Sequence, residues 1–99
     1  MAKILIVDDE EDIAELVSYN LIKDGFVTVK AHDGEAALRK IRMEKPDLLI
    51  LDLMLPGMSG LDICKAVRSN PQTASLPIIM LTAKAEEVDK IIGLEIGAD

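Results

Sequence analysis

Aromatic residues are nearly absent from this 99-residue chain: Tyr19 and Phe26 stand alone and there is no tryptophan. A platform on which nucleic-acid bases stack is therefore not expected. Basic charge is also scarce. Eleven Lys and Arg face 18 Asp and Glu, for a formal net charge of −7, which opposes a sequence-independent grip on DNA or RNA phosphates and docking on an anionic membrane surface. The single cysteine, Cys64, excludes an intrachain disulfide, and one Cys with one His cannot build a structural zinc site. Cys64 reads as a small apolar side chain on a helix. No apolar run approaches the ~20 residues of a membrane-spanning helix, and Met1-Ala2-Lys3 leads into a strand-like run without a signal-peptide pattern. A cytoplasmic, reducing location is the default expectation, and one domain spanning residues 1–99 the expected organisation.

What the chain does have is an alternation of strand and helix, four times over. Ile4-Leu5-Ile6-Val7 is a continuous β-favouring run, expected in a strand buried on both faces. Asp8 and Asp9 end it. Ile13, Leu16, Val17 and Leu21 then recur at helical spacing, with Gly25 as the stop. Residues 26–31 alternate as a less deeply buried strand. Asp33-Gly34 opens a second helix carrying Ala37, Leu38 and Ile41, closed by Pro46. Leu48-Leu49-Ile50-Leu51 is the second continuous run and ends at Asp52. After a turn at Pro56-Gly57, Ser59 caps a helix bearing Leu61, Cys64 and Val67, with Asp62 three residues into it. Asn70-Pro71 breaks that helix. Pro77 introduces a third run over residues 78–82, and Val88, Ile91, Ile92 and Leu94 mark a fourth helix with Gly97 as its stop. Such alternation predicts an α/β fold, a doubly wound parallel sheet with helices on both faces.

In open parallel sheets, ligands gather outside the carboxyl ends of the strands. Three apolar runs here end in polar residues: Asp8-Asp9, Asp52 and Thr82. Each has a bland reading. Asp8 or Asp9 could cap the first helix, since Glu11 and Asp12 complete capping-box spacings, and Thr82 could be an ordinary strand end. Asp52 is harder to set aside, because it closes the most apolar stretch of the chain and burying an uncompensated carboxylate costs several kcal/mol on the order of the ion-burial penalty. Three carboxylates at close range either raise one another's pKa or bind a cation. Hard oxygen ligands that leave coordination positions to water and phosphate suit Mg²⁺ better than Ca²⁺. A metal beside a nucleophilic carboxylate is a phosphoryl-transfer arrangement, with Asp52 as the acceptor. Thr82 could donate a hydrogen bond to a phosphoryl oxygen, and Ala83 could offer its backbone N–H.

Ile4-Leu5-Ile6-Val7-Asp8-Asp9-Glu10 resembles the opening of bacterial response-regulator receiver domains. Pro46-Asp47-Leu48-Leu49-Ile50-Leu51-Asp52-Leu53-Met54-Leu55-Pro56-Gly57-Met58-Ser59-Gly60 resembles their phosphoacceptor strand and loop, Pro77-Ile78-Ile79-Met80-Leu81-Thr82-Ala83 their switch strand, and residues 93–99 the segment before their fifth strand. The resemblance implies the flavodoxin-like receiver fold with strand order 2-1-3-4. It implies a phosphoacceptor signalling domain of a two-component system rather than an enzyme acting on a separate substrate. Asp52 would take phosphate from a sensor histidine kinase. Asp9 would hold Mg²⁺ directly, Asp8 largely through water, and Met54 through its backbone carbonyl. Thr82 would carry the switch. The style is that of receivers preceding a DNA-binding output domain, with no nucleic-acid or membrane contact by this segment itself. The family's fifth strand, with its aromatic switch residue, and the lysine that follows it lie beyond Asp99. The expectation is thus a receiver incomplete at its carboxyl end, whose apolar fourth strand is an edge that recruits another strand.

Three rival readings are open. A phosphatase of the haloacid-dehalogenase type needs a second Asp two residues after the nucleophile, where Met54 stands. A flavodoxin-like cofactor binder needs a Gly- or hydroxyl-rich loop after the first strand, where Asp8-Asp9-Glu10-Glu11-Asp12 would repel a phosphate. A fragment that keeps the fold without signalling is the third. His32, beside a predicted turn, is expected on the surface.

Overall fold

The computed structural model describes residues 1–52, 55 and 57–81. Its elements run β1 (Lys3–Val7), α1 (Glu11–Lys23), β2 (Val27–Ala31), α2 (Gly34–Glu44), β3 (Leu48–Asp52), α3 (Gly60–Ser69) and β4 (Ile78–Leu81). The four strands form one sheet in the order β2-β1-β3-β4, and every pairing is parallel. The expected order is therefore the observed one. The fourth predicted helix, with Val88, Ile91, Ile92, Leu94 and Gly97, lies outside the described residues, as do Met54, Thr82 and Ala83.

The continuous apolar runs follow from burial on both faces. Side chains alternate across a strand, so Leu5, Val7, Leu49 and Leu51 enter one core with Ala37, Ile41, Ile63 and Val67 from α2 and α3. Ile4 and Ile6 enter the other with Ala14 of α1, flanked by Val17, Leu21, Leu48 and Ile50. Ile78 and Met80 of β4 also join the α2–α3 core. A one-residue slip of β1 or β3 would exchange the two sets and mismatch both helix layers. β2, at the sheet edge, is less buried, as its weaker pattern predicts.

Local chemistry sets the boundaries. The second strand begins at Val27 rather than Phe26, because Phe26 belongs to the stop of α1. Its N–H donates to the Leu21 carbonyl and the Gly25 N–H to the Ile22 carbonyl, with Gly25 at φ +95°. This is the paired-bond arrangement that satisfies the last carbonyls of a helix around a left-handed residue. Asp33 caps α2 by accepting from the Ala36 N–H at 2.8 Å. Ser59 and Asp62 form the reciprocal capping box of α3. Arg68 of α3 donates to the carbonyls of Ala74 and Leu76, tying the approach to β4 onto the helix.

Candidate functional site

Parallel pairing brings the carboxyl ends of β1 and β3 side by side: Val7 pairs with Leu51. Asp8 follows the first and Asp52 ends the second. One carboxylate oxygen from each of Asp8, Asp9 and Asp52 lies within 4.8 Å of the others. Asp8 is buried, Asp52 half-buried and Asp9 exposed, so the cluster opens to solvent through Asp9. Oxygens this close can surround a single small cation. Metal–oxygen distances of about 2.1 Å for Mg²⁺ place neighbouring ligands well inside that spread, and a water could bridge any longer gap. The donor set is all hard oxygen, which is the chemistry a Mg²⁺ site requires.

Asp8 is fixed before any cation arrives. Its N–H donates to the Ala31 carbonyl at 3.1 Å, its carboxylate accepts the Glu10 N–H at 2.9 Å, and its carbonyl bonds the Nδ1 of His32 at 2.9 Å. Burial raises its carboxyl pKa above the ordinary 3.8. The Glu10 N–H opposes that rise, the charges of Asp9 and Glu10 add to it, and His32 opposes it. The fold thus holds a carboxylate where its charge is costly, as a cation site does.

The capping reading of Asp8 and Asp9 does not hold. The N-cap of α1 is Glu10, which makes no side-chain capping bond, and the helix starts at Glu11. Asp8 instead turns back on the Glu10 N–H, two residues on, leaving its carboxylate at the mouth of the sheet. His32 is exposed as expected, yet it anchors the end of β2 to the backbone of Asp8. Sequence distance concealed this contact; the parallel register of β1 with β2, which sets Val7 beside Ala31, creates it.

A parallel sheet of order 2-1-3-4 with three carboxylates at its carboxyl edge defines a class: doubly wound domains whose chemistry sits where the strand order reverses. Residues 4–99 match the family model described as the response regulator receiver domain, and the chain belongs to that family. It is 55% identical over 97 residues to the alkaline phosphatase synthesis transcriptional regulatory protein PhoP of Bacillus subtilis (strain 168). That match covers 98% of this chain and 40% of the relative, so the chain spans about two fifths of that protein's length. Among solved structures it is similar to the chemotaxis response regulator CheY4 of Vibrio cholerae, with TM-score 0.84 and 39% identity over 99% of this chain and 82% of that one. It is also similar to the response regulator TrrA of Thermotoga maritima, solved in complex with Mg²⁺-BeF, with TM-score 0.81 and 35% identity over 97% and 82% of the two chains. The protein is a receiver domain of two-component signal transduction. No helix among the described residues is long and apolar enough to cross a membrane.

Proposed function

We propose that Asp52 is the phosphoacceptor of this receiver and that Asp8 and Asp9 hold a Mg²⁺ ion beside it. The observation that carries this reading is the convergence of the three carboxylates at the carboxyl end of β1 and β3. When bound, Mg²⁺ supplies positive charge opposite the phosphoryl oxygens. As the resemblance to the family implies, Asp9 would hold the ion directly and Asp8 largely through water. The Met54 carbonyl is the assigned backbone ligand, the Thr82 hydroxyl the assigned donor to a phosphoryl oxygen, and the Ala83 N–H a second donor; all three lie outside the described residues.

In the step itself, a carboxylate oxygen of Asp52 attacks phosphorus in line. An O–P bond forms as the P–N bond of a kinase phosphohistidine breaks, and the departing imidazole takes a proton from solvent. The domain acts on its own side chain, so its product is a phosphorylated protein rather than a released metabolite. The partner is a sensor histidine kinase. Ile13, Leu16, Tyr19 and Ile22 are exposed on α1, whose first turn follows Asp8 and Asp9. Apolar side chains bared beside a reactive site form a docking surface for such a partner. The location is cytoplasmic, and control of transcription is the output of the whole protein. With a net charge of −7, this segment makes no DNA contact of its own.

Incubation with a small phosphoryl donor and Mg²⁺, followed by intact mass measurement, tests the reading. One added phosphoryl group on the wild-type chain and none on Asp52→Ala is expected. Uptake that survives in Asp52→Ala refutes the assignment, and no uptake by the wild type favours a chain that keeps the fold without signalling.

A second reading concerns the 99-residue polypeptide studied by itself. Among the described residues β4 pairs with β3 alone, and its residues Ile78-Ile79-Met80-Leu81 carry no charge. Such an edge recruits strands. Sedimentation at low and high concentration is expected to show association that grows with concentration; a monomer at both refutes it.

A further inference from the structure

The start of α2 and the connection that follows the acceptor strand meet at Gly34 and Met58. A Cβ built on Gly34 would lie 2.7 Å from the Met58 Cβ, 2.9 Å from its Sδ and 3.1 Å from its Cγ. The sulfur can rotate away. The Cβ cannot, because it is fixed to the backbone of residue 58. Space, rather than conformation, is what this glycine supplies: Gly34 is helical and is not among the described glycines with positive φ. Gly34 is the first residue of α2 and is buried, and what its missing side chain spares is the contact with Met58.

Both sides of this contact are anchored. On the α2 side, Asp33 accepts from the Ala36 N–H at 2.8 Å, and its carbonyl accepts from the Ala37 N–H at 3.0 Å. On the other side, Met58 directly precedes Ser59, whose capping box holds the start of α3. A Cβ at position 34 must therefore displace residue 58, which stands six residues after Asp52. There is room for it to go. An open hollow of about 560 Å³, lined by Asp33, Gly34, Glu35, Gly57, Met58 and Asp62, lies beside the contact.

We propose that Gly34 is a positioning residue for the acceptor site: by having no side chain it lets Met58 rest directly on α2 and fixes where residue 58, six positions past Asp52, can stand. The proposal rests on the reading of Asp8, Asp9 and Asp52 given above. It makes α2, which contributes no group to the cluster, part of what holds the site in register.

The test is Mg²⁺ titration by calorimetry on the full chain, well below its unfolding temperature, for wild type, Gly34→Ala, Met58→Gly and the double variant. Gly34→Ala is expected to weaken Mg²⁺ binding by about 10-fold, as changes behind a metal ligand do, while unfolding remains cooperative. In the Met58→Gly background, where no Cβ remains to strike, Gly34→Ala is expected to change affinity by less than about twofold. Unchanged affinity in a folded Gly34→Ala overturns the proposal, and so does an equal loss in both backgrounds. Should Gly34→Ala not fold, Met58→Gly alone decides: weakened binding supports the rest on α2, and wild-type binding overturns it. A wild-type chain whose Mg²⁺ binding is insensitive to Asp52→Ala refutes the acceptor reading itself, which separates that failure from this one.

Discussion

At the amino end of the sheet the Lys3 ammonium lies 3.2 Å from Glu44, and the Asp47 carboxylate accepts the Lys3 N–H at 2.8 Å. At the carboxyl end three carboxylates are gathered within 4.8 Å, and burial pushes one of them, Asp8, above the ordinary carboxylate range. The same four strands thus join unlike charges at one end and crowd like charges at the other. At the amino end Lys3 is paired with Glu44, and its backbone N–H ties Asp47, just before β3, to the start of β1. At the carboxyl end burial makes the charge of Asp8 costly, and in the function proposed above a cation would offset that cost.

The sharpest break of this contrast is Asp9→Ala. It removes an exposed carboxylate that no helix or strand depends on, so the fold is expected to stay. Mg²⁺ affinity, measured by calorimetry, is expected to fall by at least the roughly 10–100-fold that losing a group behind a ligand costs. Next is Leu16→Glu on the exposed face of α1. It is expected to slow phosphoryl transfer from a kinase phosphohistidine by about 10-fold, equivalent to roughly 1.4 kcal/mol of docking energy. Uptake from a small donor, compared in the same mass assay, is expected to be slowed far less.

A smaller effect concerns pH. The carboxyl of Asp8 holds its proton more tightly in the folded chain than at the unfolded value near 3.8. Its contribution to stability is therefore full below that value and is lost as pH rises through the raised folded pKa. Denaturant unfolding of the metal-free protein from acidic to neutral pH is expected to show Asp8→Asn losing less stability over this window than the wild type. The amide oxygen can still accept the Glu10 N–H. Added Mg²⁺ is expected to reverse the ranking. The smallest effect lies at the other end: Lys3→Met, which removes the ion pair to Glu44, is expected to cost less than about 1 kcal/mol and to leave the Mg²⁺ titration unchanged.

Much of this was legible in the residues. Strands buried on both faces must be apolar at every position, so β1, β3 and β4 stood out as unbroken runs, and Asp52 stood out as the charge closing one of them. The cap at Ser59 and the helix start at Asp33-Gly34 were readable because short polar side chains satisfy helix N–H groups locally. The strand order was not; it came with the resemblance to receivers, because pattern alone does not say which strands are neighbours. Phe26 looked like the first residue of β2 because alternation extends through it, whereas its N–H is consumed in stopping α1. The anchoring of His32 on Asp8 and the seat of Met58 on Gly34 were invisible for one reason. Each joins elements far apart in sequence, and neither leaves a periodic mark.

Thermal unfolding with and without Mg²⁺ puts the central claim to its most direct test. An ion that binds only the folded state raises the midpoint, by an amount that grows with the logarithm of its concentration relative to Kd. The wild-type Tm is expected to rise with Mg²⁺ concentration, and the Tm of the Asp9→Ala, Asp52→Ala double variant to remain flat. Parallel rises in both proteins would contradict a cation site built from Asp8, Asp9 and Asp52.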